Sequence, residues 1–213
     1  MAPVALTVPR DVIPVEDAIV VVPANEASWE DLQAVFGIRG YAATCQCQRF
    51  KIGQFEWTDA PLEFRMERTR AETHCGDPSA RTTSGLVAYL DGEPVGWCAV
   101  EPRTAYPRLP PRRVALKERG EDPDDQSVWA VTCFATRAGF RRRGVSRALA
   151  RATVDFARER GARALEAYPM ITQPGQEITW GEVHVGSRSI FADAGFTQVA
   201  HPTPRRVVMR IDF

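Results

Sequence analysis

Residues 139–169 read GFRRRGVSRALARATVDFARERGARALEAYP, with three consecutive arginines and a glycine immediately ahead of a segment of helical periodicity. Val145, Ala148, Leu149, Ala152, Phe156 and Ala157 recur at spacings of three and four, the pattern of one apolar helix face, while Arg147, Arg151, Asp155, Arg158 and Glu159 fall largely on the other. The spacing predicts a helix from Val145 to Arg160, stopped by Gly161. Upstream, SVWAVTCFAT (127–136) is rich in β-branched and aromatic residues and reads as a buried strand; downstream, ARALEAYP (162–169) reads as another, closed by Pro169. The order is strand, turn, helix, strand, which makes the chain an α/β protein.

At a helix N-terminus the first amide N–H groups lack intrahelical partners and the aligned peptide dipoles add positive potential, so a phosphate is held well there. Gly144 lets the backbone approach closely, and Arg141, Arg142 and Arg143 add charge. Taken alone, the same four residues also read as a solvated basic loop ahead of an ordinary helix.

In its wider context the segment resembles the acyl-CoA signature of the GNAT superfamily of N-acetyltransferases: Gln or Arg, two residues, Gly, one residue, Gly or Ala, set between a central strand and a helix. Arg141, Arg142, Arg143, Gly144, Val145 and Ser146 match it, followed by Arg147 in the first turn. Ser146 departs from the last position but is small, which implies a tighter fit. Strand residues that run beside the pantetheine arm in the family correspond to Phe134, Ala135 and Thr136, and ADAGF (192–196) is similar to the family's closing helix and Gly-Phe turn. The resemblance spans roughly residues 85–213 and implies a GNAT-type α/β (α+β) fold, a mixed and mostly antiparallel sheet flanked by helices in a single domain, with acetyl-CoA as co-substrate.

Composition agrees. The chain has 213 residues, room for one compact domain, and 27 basic against 27 acidic residues, so no global field recruits nucleic acid or an anionic membrane. MAPVALTVPRDVIPVEDA has neither the basic start nor the long apolar run of a secretory signal, no stretch is apolar enough to cross a bilayer, and a cytoplasmic location is expected. Residues 1–17 read as a tail and 18–213 as the domain. AIVVVPA (18–24) is a short first strand; SWEDLQAVFG (28–37) is a helix with Ser28 as N-cap; APLEFRMERTRAET (60–73) is a second, more polar one. SGLVAYLDGEPVGWCAVEP (84–102) is a hairpin turning at Asp91 and Gly92.

Two insertions remain. Residues 102–126 hold five prolines and a charge cluster between two strands, and read either as a wall of the acceptor site, with Tyr106 and Arg108 facing in, or as a surface loop. Residues 170–185 follow the fifth strand, a place that the resemblance to GNAT folds implies is close to the acetyl group, and Trp180 there reads as a lid or as a packing residue.

Cysteines 45, 47, 75, 98 and 133 are odd in number in a chain without a secretory signal, so free thiols are expected. Cys45, Cys47, His74 and Cys75 have poor spacing for a tetrahedral ion, and no metal is expected. Three scattered histidines, His74, His184 and His201, do not suggest a triad.

The resemblance implies direct attack of an amine on the acetyl thioester, with backbone N–H groups of the central strand polarising the carbonyl. The tyrosine that many members place four residues before the Gly-Phe glycine is Phe191 here, and the glutamate that some carry on the central strand is Ala130. Two replacements are expected: Glu101, ending the strand paired with that of Trp129 and so lying beside Ala130, as base, and Tyr168, ending the fifth strand, as the acid that protonates the departing thiolate. The acceptor expected is the amine of a small molecule, the other reading being a catalytically silent acyl-CoA-binding module; a homodimer is left open.

Overall fold

The computed structural model describes residues 19–109, 119–171 and 184–213. The chain enters as β1 (Ile19–Pro23) and passes through four short helices, α1 (Trp29–Phe36), α2 (Tyr41–Cys45), α3 (Gln54–Asp59) and α4 (Leu62–Thr73). It returns as β2 (Gly85–Leu90) and β3 (Glu93–Pro102), reaches β4 (Val128–Thr136), crosses by α5 (Val145–Glu159) to β5 (Ala164–Ala167), and ends in α6 (Arg188–Asp193), β6 (Thr197–Thr203) and β7 (Arg206–Asp212). The strands form one sheet in the order β1-β2-β3-β4-β5-β7-β6, and every neighbouring pair is antiparallel except β4 with β5. A parallel pair needs a crossover, and α5 supplies it.

Local signals account for these elements. Ser28 Oγ accepts the Asp31 N–H at 3.0 Å and caps α1. Asp91 and Gly92 adopt φ of 53° and 81°, the pair of positive values that a two-residue hairpin turn of matching twist requires. On α5, Val145, Leu149, Phe156 and Ala157 enter the core on one face of the sheet with Leu86, Cys98, Val131 and Phe134. A Cβ on Gly96 of β3 would lie 2.4 Å from Val145 Cγ1, so the absent side chain is what lets the start of α5 sit against the sheet. On the opposite face Leu32, Val35 and Phe36 of α1 pack on Val87, Trp97, Ala99, Cys133 and Ala135. The sheet is a filling between two helical layers, the GNAT-type arrangement expected.

β4 changes phase in mid-strand. Ala99 pairs with Cys133 but the next residue, Val100, pairs with Val131, so Thr132 is an extra residue in the ladder. Val131 and Phe134, three apart, therefore both face α5, whereas Cys133 and Ala135 face α1. A bulge in a central strand re-aims the residues that follow it, and Phe134–Thr136 are those residues.

Two short helices in residues 40–59, α2 and α3, have no periodic signal in the sequence, and α4 buries Thr69 and Thr73 instead of apolar groups. The 1–17 tail lies outside the described residues. No helix among them is long and apolar enough to cross a membrane.

Candidate active site

The turn after β4 is built on left-handed backbone. Gly144 caps α5 with φ 81°, and its carbonyl accepts the N–H groups of Arg147 and Ala148 at 2.9 and 3.0 Å. A Cβ at Gly144 would meet only Ile19 Cδ1, at 3.9 Å. The glycine is thus required by its positive φ rather than by a crowded approach within the chain. Arg142 shares the left-handed region, with φ 62°. Arg143 and Arg137 lay their guanidinium groups over Phe140, at 5.7 and 5.6 Å from the ring centre, and Arg141 lines a cleft of about 410 Å³ with Ala135, Thr136 and the α1–α2 turn. Two residues of the expected set have other partners: the Val145 side chain is core, and the Arg147 guanidinium pairs with Asp193 of α6.

Thr136 also borders a second, smaller cleft of about 130 Å³ with Phe134, Ser146, His184 and Gly186. Ser146 Oγ lies 3.5 Å from Thr136 Oγ1, and both residues line this cleft. The Phe134 N–H, expected to face a thioester carbonyl, donates to the His184 carbonyl at 2.6 Å. A thioester can use that donor only if residues 184–186 give it up. Phe191, at the place of the family's tyrosine, is fully buried and packs edge-on between Phe134 and Phe196.

At the other end of β4, Glu101 pairs with Ala130 as the strand order demands. Its surroundings are not those of a solvated strand end. The carboxylate binds the ammonium of Lys51 and accepts the Tyr106 hydroxyl at 3.2 Å, and Lys51 also reaches Glu72 at 2.8 Å. Burial raises the Glu101 pKa, an effect that Lys51 only partly offsets. Burial alone would depress Lys51, but Glu101 and Glu72 together outweigh it and hold the ammonium protonated. Tyr106 of the insertion faces in, whereas Arg108 turns back and donates to the Arg49 and Ile52 carbonyls at 3.3 and 3.4 Å. Glu101 and Glu72 also line a cleft of about 570 Å³ with His74, Thr83 and Trp129.

Tyr168 is buried, and its hydroxyl donates to Glu166 at 2.5 Å. That bond and burial commit the proton that the sequence reading assigned to a thiolate, and burial first, then the Glu166 charge, push the phenol well above its ordinary pKa. Glu166 itself is fully enclosed, ringed by Arg103 at 3.2 Å, Arg210 at 2.8 Å and Arg119. Burial works against its charge, yet Tyr168 and the arginines prevail and hold its pKa below the usual carboxylate value. Glu121 joins Arg103 and Arg210, both at 3.0 Å, so the insertion is anchored onto β5 and β7 by charge. Sequence reasoning missed this network. Its one signal was a glutamate inside an otherwise apolar strand, facing an insertion rich in arginine and acid.

All five cysteines are unbridged, and no group of three or more His, Cys, Asp or Glu among the described residues is arranged to hold a metal ion. Trp180 lies outside the described residues.

A family model described as Acetyltransferase (GNAT) family matches residues 49–176. In sequence, no curated protein matches. In fold, an N-acetyltransferase from Staphylococcus aureus is similar at 12% identity and TM-score 0.50, covering 92% of this chain and 98% of that one. A ribosomal-protein-alanine N-acetyltransferase from Brucella melitensis is similar at 16% identity and TM-score 0.50, covering 91% and 99%. The yncA protein of Salmonella typhimurium, solved with its cofactor acetyl-CoA, is similar at 14% identity and TM-score 0.51, covering 92% and 94%. At these identities the likeness is one of fold, while the sequence match takes in β4, the arginine turn and α5 together. The chain belongs to the GNAT family of acetyltransferases.

Proposed function

We propose that the protein transfers an acetyl group from acetyl-CoA to a primary amine of a small molecule, by direct attack in a ternary complex. The observation that carries this is the sequence of devices along one strand: a bulge at Thr132, then Phe134–Thr136 flanked by two clefts, then a left-handed glycine that caps α5. An extended thiol arm ending in a pyrophosphate has that layout. The first-turn amides of α5, with Arg141, Arg142 and Arg143, suit the phosphates, and the edge of Phe134–Thr136 suits the arm. Bound acetyl-CoA supplies the activated acetyl thioester.

The chain's own contribution lies at the opposite end of β4. Glu101 is the candidate base: its raised pKa reflects a carboxyl whose charge is only partly compensated, and it takes a proton from the amine directly or through water. Lys51 and Tyr106 orient it. Glu72 and Glu101 border one cleft together with Arg81 and Arg160, and both carboxylates pair with Lys51, so the cleft offers an acceptor charges of both signs. Arg103 and Tyr106 are fully buried at the start of the 102–126 insertion, which supports a small acceptor over a peptide.

The second reading, a silent acyl-CoA-binding module, is favoured by one observation. The Phe134 amide is already taken by His184, and Phe191 and Ala130 offer neither acid nor base. Free CoA thiol measured across a panel of small amines and N-terminal peptides separates the readings. Amine-dependent thiol release supports the enzyme; tight CoA binding with no release from any acceptor supports the module.

A further inference from the structure

On the α1 side of the sheet two thiols meet. Cys47 and Cys133 are 86 positions apart in the chain, and their sulfurs lie 2.8 Å apart. A disulfide needs about 2.05 Å, so a small shift separates this contact from a bond.

The two sulfurs differ in their surroundings. Cys133 is buried on β4, one residue after the bulge, among Val35, Trp97 and Ala99. Cys47 is half-buried, and its sulfur accepts the Trp97 indole N–H at 2.8 Å. Contact with Cys47 and then burial push the Cys133 thiol well above its ordinary value, and the Cys47 thiol donates to the Cys133 sulfur, so the half-buried member of the pair is the one a solute reaches first.

The backbone around Cys47 is held in place. Gln46 and Cys47 both take left-handed φ, 48° and 54°, which non-glycine residues rarely adopt. Each neighbour is clamped. The Gln46 amide exchanges hydrogen bonds with Gln33 at 3.0 and 3.3 Å and its carbonyl accepts from Thr69 at 2.6 Å, while Gln48 donates to Thr69 at 3.1 Å and to Glu72 at 2.8 Å. Strained backbone fixed on both sides directs the thiol between them at its partner.

We propose that Cys47 and Cys133 form a modification site, a dithiol that a hydroperoxide oxidises to an intramolecular disulfide. The Cys47 sulfur attacks the outer peroxide oxygen, the O–O bond breaks, and the alcohol or water leaves with a proton, giving a sulfenic acid. The Cys133 sulfur then attacks the Cys47 sulfur, the S–S bond forms, and hydroxide departs as water with the Cys133 proton. Two thiols lose two electrons and two protons, and the peroxide is reduced. The bond ties the segment leading to Lys51, and so to Glu101, to the strand that carries Phe134. The assignment stands on the two thiols and does not depend on the acceptor proposed above.

The test is brief treatment of the reduced full-length protein with equimolar hydrogen peroxide, followed by acid quenching and intact-mass analysis. The expected result is a loss of about 2 Da, restored by dithiothreitol, with a linked Cys47–Cys133 peptide on digestion. Cys47→Ser should abolish the loss, and Cys45→Ala should keep it. Cys47 is half-buried and tolerates serine, so this variant stays informative if Cys133→Ser fails to fold. Gains of about 16 or 32 Da without the 2 Da loss would overturn the assignment. A linkage mapped to Cys45–Cys47, or between two copies, would do so as well.

Discussion

The Phe134 N–H and the His184 carbonyl form a hydrogen bond of 2.6 Å across the line where β4 and β5 cease to pair. β5 ends at Ala167, paired with Val131, so beyond that point β4 has no strand on its β5 side, and the His184 carbonyl takes up the Phe134 N–H there. If an acyl thioester uses this donor, that carbonyl must release it. Saturating acetyl-CoA should therefore raise hydrogen exchange in residues 184–187 while lowering it in the turn 139–146. Unchanged exchange in both would show that the thioester does not enter this gap.

Gly144→Glu places a side chain at φ 81° and a negative charge at the start of α5. The left-handed conformation costs about 1–2 kcal/mol of stability, and the charge opposes a phosphate, so CoA affinity should fall at least a hundredfold with the fold retained. Arg143→Ala should weaken binding by only about 1–2 kcal/mol, because the amides remain. Calorimetry with CoA measures both.

Glu101→Gln should lower kcat by about 10²- to 10⁴-fold with CoA affinity nearly unchanged. The base is active when ionised, and burial places its pKa above the usual carboxylate value, so wild-type kcat should rise with pH through that raised pKa. The limb should vanish in the variant. A limb that survives and follows the pKa of the amine would mean that proximity, not a protein base, supplies the rate.

Tyr168→Phe removes the donor to a buried carboxylate, a bond worth about 1.5–3 kcal/mol. Because the phenol keeps this proton and donates it to Glu166, the loss should appear in the denaturation midpoint, with kcat changed less than about tenfold. A kcat loss of ~10² or more at unchanged stability would restore Tyr168 to the role of acid.

Glu166→Gln leaves three arginines around a neutral amide and should cost about 3–5 kcal/mol. The folded pKa of Glu166 lies below its unfolded value, so its contribution is fully present above the unfolded pKa and is lost as pH falls through the folded one. The stability difference between wild type and variant should be constant near neutrality and shrink below about pH 4.3. Urea melts between pH 3 and 7 would show it.

The sequence by itself determined the elements whose cause is local. The period of α5, the Ser28 cap, the Asp91–Gly92 turn and the arginine–glycine signature each depend on residues within a few positions of one another. The strand order followed, and with it the placement of Glu101 beside Ala130. Tertiary structure alone decided what those residues touch. Arg103 meets Glu166 across 63 positions and Cys47 meets Cys133 across 86, and neither pair leaves a trace in spacing because the sheet, not the chain, brings them together. Residues 40–59 were opaque for a related reason. Their short helices are too brief to hold themselves and exist because Cys45, Phe50 and Ile52 are buried and Gln46 and Gln48 bond to α1 and α4. The roles of Tyr168 and Glu101 were likewise left to packing: strand position placed them at β-strand ends, but only the buried charges around them decided which proton each one holds.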